Sequence, residues 1–100
     1  MRNKKRLYPF KSIYFILDEE ANAVKIGIAL FPETRLKHLQ ATNPHKLTLV
    51  KIIENGGFEL EQELHRKFAD AKLHNEWFHL TDELRDYIYL DGRQGVFKLR

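Results

Sequence analysis

SIYFILDEEANAVKIGIALFPETRLKH, residues 12–38, holds two apolar runs separated by a polar break, then a proline and a basic stretch. Ser12–Leu17 and Ala23–Ile28 are rich in β-branched and aromatic residues, and Asp18, Glu19, Glu20, Ala21 and Asn22 interrupt them, which predicts a β-hairpin. Strand side chains alternate, so Val24, Ile26 and Ile28 point one way and Ala23, Lys25 and Gly27 the other. Lys25 is therefore expected to leave the core side. Pro32 suits the first turn of a helix, where its missing N–H costs nothing, and Glu33 beside it suits the positive helix end. Leu36 and Leu39 supply the apolar seam of that helix, with Arg35 and His38 on a neighbouring face. Asn43-Pro44 should stop it, because proline disfavours a helical predecessor.

Beyond the turn, Lys46–Ile53 is a third β-rich run, ended by Gly56-Gly57. A second helix is predicted from about Phe58 to Ala71, with Leu60, Leu64 and Phe68 spaced by four. NEWFHL, residues 75–80, reads as a short extended piece. Thr81, with Asp82 and Glu83 behind it, starts a third helix through Leu84 and Ile88. Gly92 should close that helix, leaving RQGVFKLR as a short tail. A hairpin followed by interspersed helices implies a small α+β layer structure, an antiparallel sheet covered by helices.

One hundred residues suffice for one modest domain. With 43% hydrophobic and 31% charged residues, the composition is that of a folded globular chain. No stretch reaches the ~20 apolar residues of a membrane span. MRNKKRLYPF lacks the apolar run of a secretory signal, so the expected location is cytoplasmic. The absence of cysteine removes disulfides and thiolate metal sites. A net charge of +3 fits a polyanionic partner such as DNA. Residues 1–11 form a basic arm whose Lys4, Lys5 and Arg6 are suited to phosphates, and residues 12–100 form the single domain.

Glu61 and His65, four apart, share one side of the second helix. A carboxylate there suits a divalent cation and the imidazole suits proton transfer or phosphate contact, although a plain Glu–His helix pair has the same spacing. Tyr14 and Lys25 fall on adjacent hairpin strands, where an ammonium would lower the phenol pKa and fit it as a base or water-positioning group. Arg35 carries a fork suited to phosphate, and Lys37 and His38 add positive potential, as would the wet face of any amphipathic helix. GxGxxG, P-loop, HExxH and CxxC patterns are all absent, so nothing supports a nucleotide cofactor.

In order and spacing these pieces resemble the GIY-YIG nuclease superfamily, in its small phage and bacterial branch commonly described as a DNA-binding domain. SIYFI resembles the GIY strand, with Tyr14 on the motif tyrosine and Ser12 at the first glycine. VKIGIA resembles the YIG strand, with Lys25, Ile26 and Gly27 on the motif positions. Arg35 falls eight residues after Gly27, ELEQELHRKF puts Glu61 on the metal-binding glutamate, and NEWF is similar to the EWF ending of that branch. The resemblance implies a three-stranded antiparallel sheet flanked by about three helices. It implies a metal-dependent DNA endonuclease or nickase, in which Tyr14 would help activate water, Arg35 would stabilise the pentacovalent phosphate and Glu61 would hold one Mg²⁺ or Mn²⁺. Lys25, His65 and His38 are the further catalytic candidates, and Lys25, Arg35, Lys37 and His38 the DNA contacts. The alternatives are a DNA-binding module of the same fold that does not cut, and a protein-interaction domain.

Overall fold

The computed structural model describes residues 10–90 and the backbone of residues 96–97. In chain order the elements are strand β1 (Ser12–Asp18), strand β2 (Ala23–Ala29), helix α1 (Pro32–Ala41), strand β3 (Leu47–Ile53), helix α2 (Gly57–Lys67), a 3-10 turn (Ala69–Ala71), strand β4 (Lys72–His74), strand β5 (Trp77–His79), helix α3 (Asp82–Tyr89) and strand β6 (Val96–Phe97). The strands make one sheet in the order β4-β5-β2-β1-β3-β6, and every pairing is antiparallel.

The fold is α+β with three α-helices among the described residues, but the expected three-stranded sheet is corrected. Five strands lie within residues 12–79 and the two-residue β6 adds a sixth. The extra strands are two or three residues long, too short to carry the alternation that marks a strand in sequence. NEWFHL contributes one of them, β5, and RQGVFKLR contributes β6 where a tail was expected. The expected close at Gly92 and the arm residues Lys4, Lys5 and Arg6 lie outside the described residues.

Both faces of the sheet are covered. Ile13, Tyr14, Phe15 and Ile16 are buried in succession, which a strand with one wet face would not allow. On one face Ile13, Phe15, Val24, Ile26, Val50 and Phe78 pack under Leu64 of α2 and Leu84 and Ile88 of α3. On the other, Tyr14, Ile16, Leu47, Leu49 and Ile52 pack under Leu36 and Leu39 of α1, with Trp77 beside them. Each fully buried Ile, Leu or Phe contributes roughly 1.5–3 kcal/mol.

Local chemistry sets the connections. Asn22, Asn55 and Asn75 all take positive φ at the turns, the conformation asparagine tolerates better than most residues. Gly57, at φ 81°, opens α2 and donates its N–H to the Lys11 carbonyl, tying that helix to the start of β1. The second helix ends at Lys67 and its expected last turn is the 3-10 segment. Thr81 caps α3, its Oγ1 accepting from the Leu84 N–H at 3.1 Å.

The β1–β3 register shifts between Phe15 and Ile16, so Phe15 faces Lys51 while Ile16 faces Leu49 and Val50 is extra. A bulge of this kind re-aims side chains. Here it leaves Lys51 fully buried, its Nζ 5.6 Å from the Tyr87 ring centroid.

Candidate functional site

β5 pairs with β2 only from Ala23 to Lys25, and the last tie on that edge is the Ile26 N–H to the Glu76 carbonyl. Past that point the edge of β2 has helix α1 over one face and helix α2 over the other. The candidate residues gather around it.

Tyr14 sits directly opposite Gly27 in the hairpin register. Its ring lies on the glycine: a Cβ on Gly27 would stand 2.4 Å from the Tyr14 hydroxyl and 2.7 Å from Glu76 Oε1. Glycine is therefore the residue that lets a phenol and a carboxylate close over the strand at the same point. Arg35, exposed on α1, hydrogen-bonds the Tyr14 phenol. Tyr14 itself is 1% exposed, and this burial pushes its phenol above the ordinary 10, with the Arg35 hydrogen bond pulling the other way and the Glu76 and Glu61 charges adding to the rise. The expectation that Lys25 lowers this phenol is corrected: desolvation dominates, and Tyr14 is a protonated hydroxyl at neutral pH.

Lys25 also departs from expectation. Its side chain does leave the Val24 and Ile26 face, but it enters the second covered face and is 9% exposed. Its Nζ lies 3.3 Å from Glu76 Oε1 and 5.6 Å from the Trp77 centroid. A strand lysine is thus held as a paired cation against an indole. Glu76 and Trp77 are the residues that sequence reasoning did not assign. The signal was their position: an acidic and an aromatic residue opening a segment that pairs with β2.

Glu61 arrives from the other layer and is 3% exposed. Its Oε1 accepts from Gln62 Nε2 at 3.0 Å, and its Oε2 lies 3.5 Å from His65 Nε2. His65 Nε2 is 2.9 Å from the Ile26 carbonyl, and its ring meets Phe78 edge-on at 5.0 Å. A carbonyl only accepts, so Nε2 carries the hydrogen and the proton-accepting nitrogen of neutral His65 is Nδ1. Tyr14, Lys25, Arg35, Glu61 and His65 therefore converge on one sheet edge.

Lys37 and His38 are exposed on α1, and neither shares a hydrogen bond or ion pair with that group among the described residues. Lys37 instead lines an open groove with Glu33, Leu36, Lys46 and Thr48.

Among the described residues no group of three or more His, Cys, Asp or Glu gathers as metal ligands. Glu61 fits a hard cation in a more limited way, since Mg²⁺ is commonly held by one or two carboxylates with water and substrate phosphate completing its shell. No described helix is long and apolar enough to cross a membrane.

The family model of the T5orf172 domain matches residues 11–90. This corrects the resemblance drawn from the motifs, because the matching family is distinct from the GIY-YIG families. The motif pieces are short, and a tyrosine, a glycine and an arginine at set spacings are not particular to one family. No curated protein and no solved structure shows a significant match to the chain. The chain belongs to the T5orf172 domain family.

Proposed function

We propose that the domain binds DNA and cuts its phosphodiester bonds as a metal-dependent endonuclease or nickase. The observation that carries this reading is the convergence of Arg35, Tyr14, Lys25, Glu61 and His65 at one sheet edge, with an exposed guanidinium hydrogen-bonded to a buried phenol. Arg35 presents its fork to phosphate oxygens while its bond to Tyr14 fixes its direction. Tyr14, held protonated, accepts the Arg35 hydrogen bond on its oxygen and keeps its own O–H to donate. Lys25 adds positive charge behind the phosphate, tempered by Glu76 at 3.3 Å. Glu61 would hold one Mg²⁺ or Mn²⁺, which when bound supplies charge neutralisation and a lowered water pKa. His65, oriented by the Ile26 carbonyl, offers Nδ1 for a proton.

Conversion of supercoiled plasmid to nicked circles in Mg²⁺ or Mn²⁺ tests this. The expected outcome is cleavage that Glu61→Ala abolishes and Arg35→Ala lowers by about 10²-fold or more. No nicking with either metal between about pH 6 and 9 refutes the enzyme.

The burial of Glu61, with both carboxylate oxygens beside partners, favours a second reading as a DNA-binding module that does not cut. That reading predicts salt-dependent binding without cleavage.

A further inference from the structure

Four large apolar side chains stand in solvent at the sheet end that carries the site: Phe31 at 71% exposure, Phe10 at 65%, Phe58 at 63% and Leu30 at 47%. Their placement is fixed by backbone. Ser12 pairs with Ala29, so Phe10-Lys11 and Leu30-Phe31 leave the sheet at the same end. The Gly57 N–H bonds the Lys11 carbonyl at 3.0 Å, which brings Phe58 there too.

Two of these rings sit one helical turn from a site residue. The Phe31 carbonyl accepts the Arg35 N–H at 3.0 Å, so the ring and the guanidinium belong to the same turn at the start of α1. Phe58, in the first turn of α2, is three residues before Glu61 and on a neighbouring part of that helix. Neither ring packs down onto its helix, as exposures of 71% for Phe31 and 63% for Phe58 show. A pair of unshielded rings bordering a cationic site needs a partner with both charge and flat apolar faces.

Resting on the phosphate-binding reading above, we infer that the substrate is single-stranded or locally unpaired DNA, whose bases stack on Phe31 and Phe58 on the two sides of the phosphate held by Arg35. In a duplex the base faces are already stacked on one another and only edges and backbone are offered. In an unpaired strand every base presents a π-face, and aromatic platforms beside a positive groove bind such strands with little regard for sequence. Exposed Lys11, whose carbonyl accepts the Gly57 N–H next to Phe58, adds backbone attraction.

Fluorescence anisotropy with a labelled single-stranded oligonucleotide, and with the same sequence as duplex, tests this in EDTA so that no strand is cut. The expected result is tighter single-strand binding by the wild type. Phe31→Ala and Phe58→Ala should each weaken single-strand binding about tenfold while changing duplex binding less than about twofold, and Phe31→Trp should restore what Phe31→Leu does not. Thermal unfolding of each variant checks that the fold is intact, as expected for rings this exposed. Single-strand binding unchanged in both alanine variants, or weakened equally on duplex, overturns the stacking inference. If Arg35→Ala still loses binding to both forms, the phosphate-site reading survives that failure. If Arg35→Ala binds like the wild type, or the wild type binds neither form, both readings fall.

Discussion

Gly27→Ala is the smallest change that tests the geometry of the site. The added methyl would stand 2.4 Å from the Tyr14 hydroxyl and 2.6 Å from its Cζ, about 1 Å short of ordinary van der Waals contact. Glu76, 2.7 Å away, has a partly exposed side chain and can swing aside. Tyr14 cannot, because it is packed with Ile16, Leu47, Leu49 and Ile52 under α1. Gly27 is in regular strand without a positive φ, so alanine brings no backbone strain and the whole cost is steric. Overpacking of this kind costs about 1–3 kcal/mol. Urea denaturation should show the midpoint falling accordingly with an unchanged slope. Tyr14→Phe in the same background removes the nearest atom but leaves Cζ, so the double variant should recover only part of the loss. A phenol displaced by about 1 Å no longer meets Arg35 as before, and nicking should fall about 10²-fold. A Gly27→Ala protein within about 0.5 kcal/mol of wild type, with Tyr14 titrating as before, would refute this account of why glycine occupies the position.

Three further outcomes are expected. Arg35→Met should raise the Tyr14 pKa further, since the Arg35 hydrogen bond and charge are what oppose desolvation there; phenolate absorbance against pH, with Tyr14→Phe as the blank, measures it. His45 is raised above its ordinary 6.5 chiefly by its hydrogen bond to Asp18, Nδ1 to Oδ2 at 2.8 Å. Its contribution is therefore complete below 6.5 and is lost as pH rises through the raised folded value, so the urea midpoint should fall with pH across that window in wild type but not in His45→Gln. Thr81→Ala removes the hydroxyl that caps α3 and should cost about 1 kcal/mol by the same denaturation assay, whereas Thr81→Ser should cost much less.

The long elements were legible because their signals are local. Asn22 breaks the hairpin and takes the left-handed turn, Pro32 opens α1, Asn43-Pro44 follows its end, and Thr81 caps α3. The short strands were not legible: Lys72–His74 is exposed throughout, so no apolar pattern marks it. The fate of Lys25 was half legible. Alternation separated it from Val24 and Ile26, but nothing local says that α1 and Trp77 will cover the face it enters. The Tyr14 phenol follows the same logic, since a neighbour in sequence register predicts a charge effect and only the folded layers reveal the larger desolvation. Glu76 was read only as part of NEWF and given no role, because its partners, Lys25 and the surface of Gly27, are about fifty residues away in the chain and meet it only through β5 pairing.

That the site draws on both layers has a consequence for its assembly. The hairpin and α1 are contiguous and can form early, bringing Tyr14, Lys25 and Arg35 together through short-range contacts. Glu61 and His65 lie on α2, which follows β3 in the chain, and Glu76 meets Lys25 through the pairing of β5 with β2. The hairpin and first helix carry Tyr14, Lys25 and Arg35 but not Glu61, His65 or Glu76, so under the proposed function nicking would require the later long-range pairings to have closed.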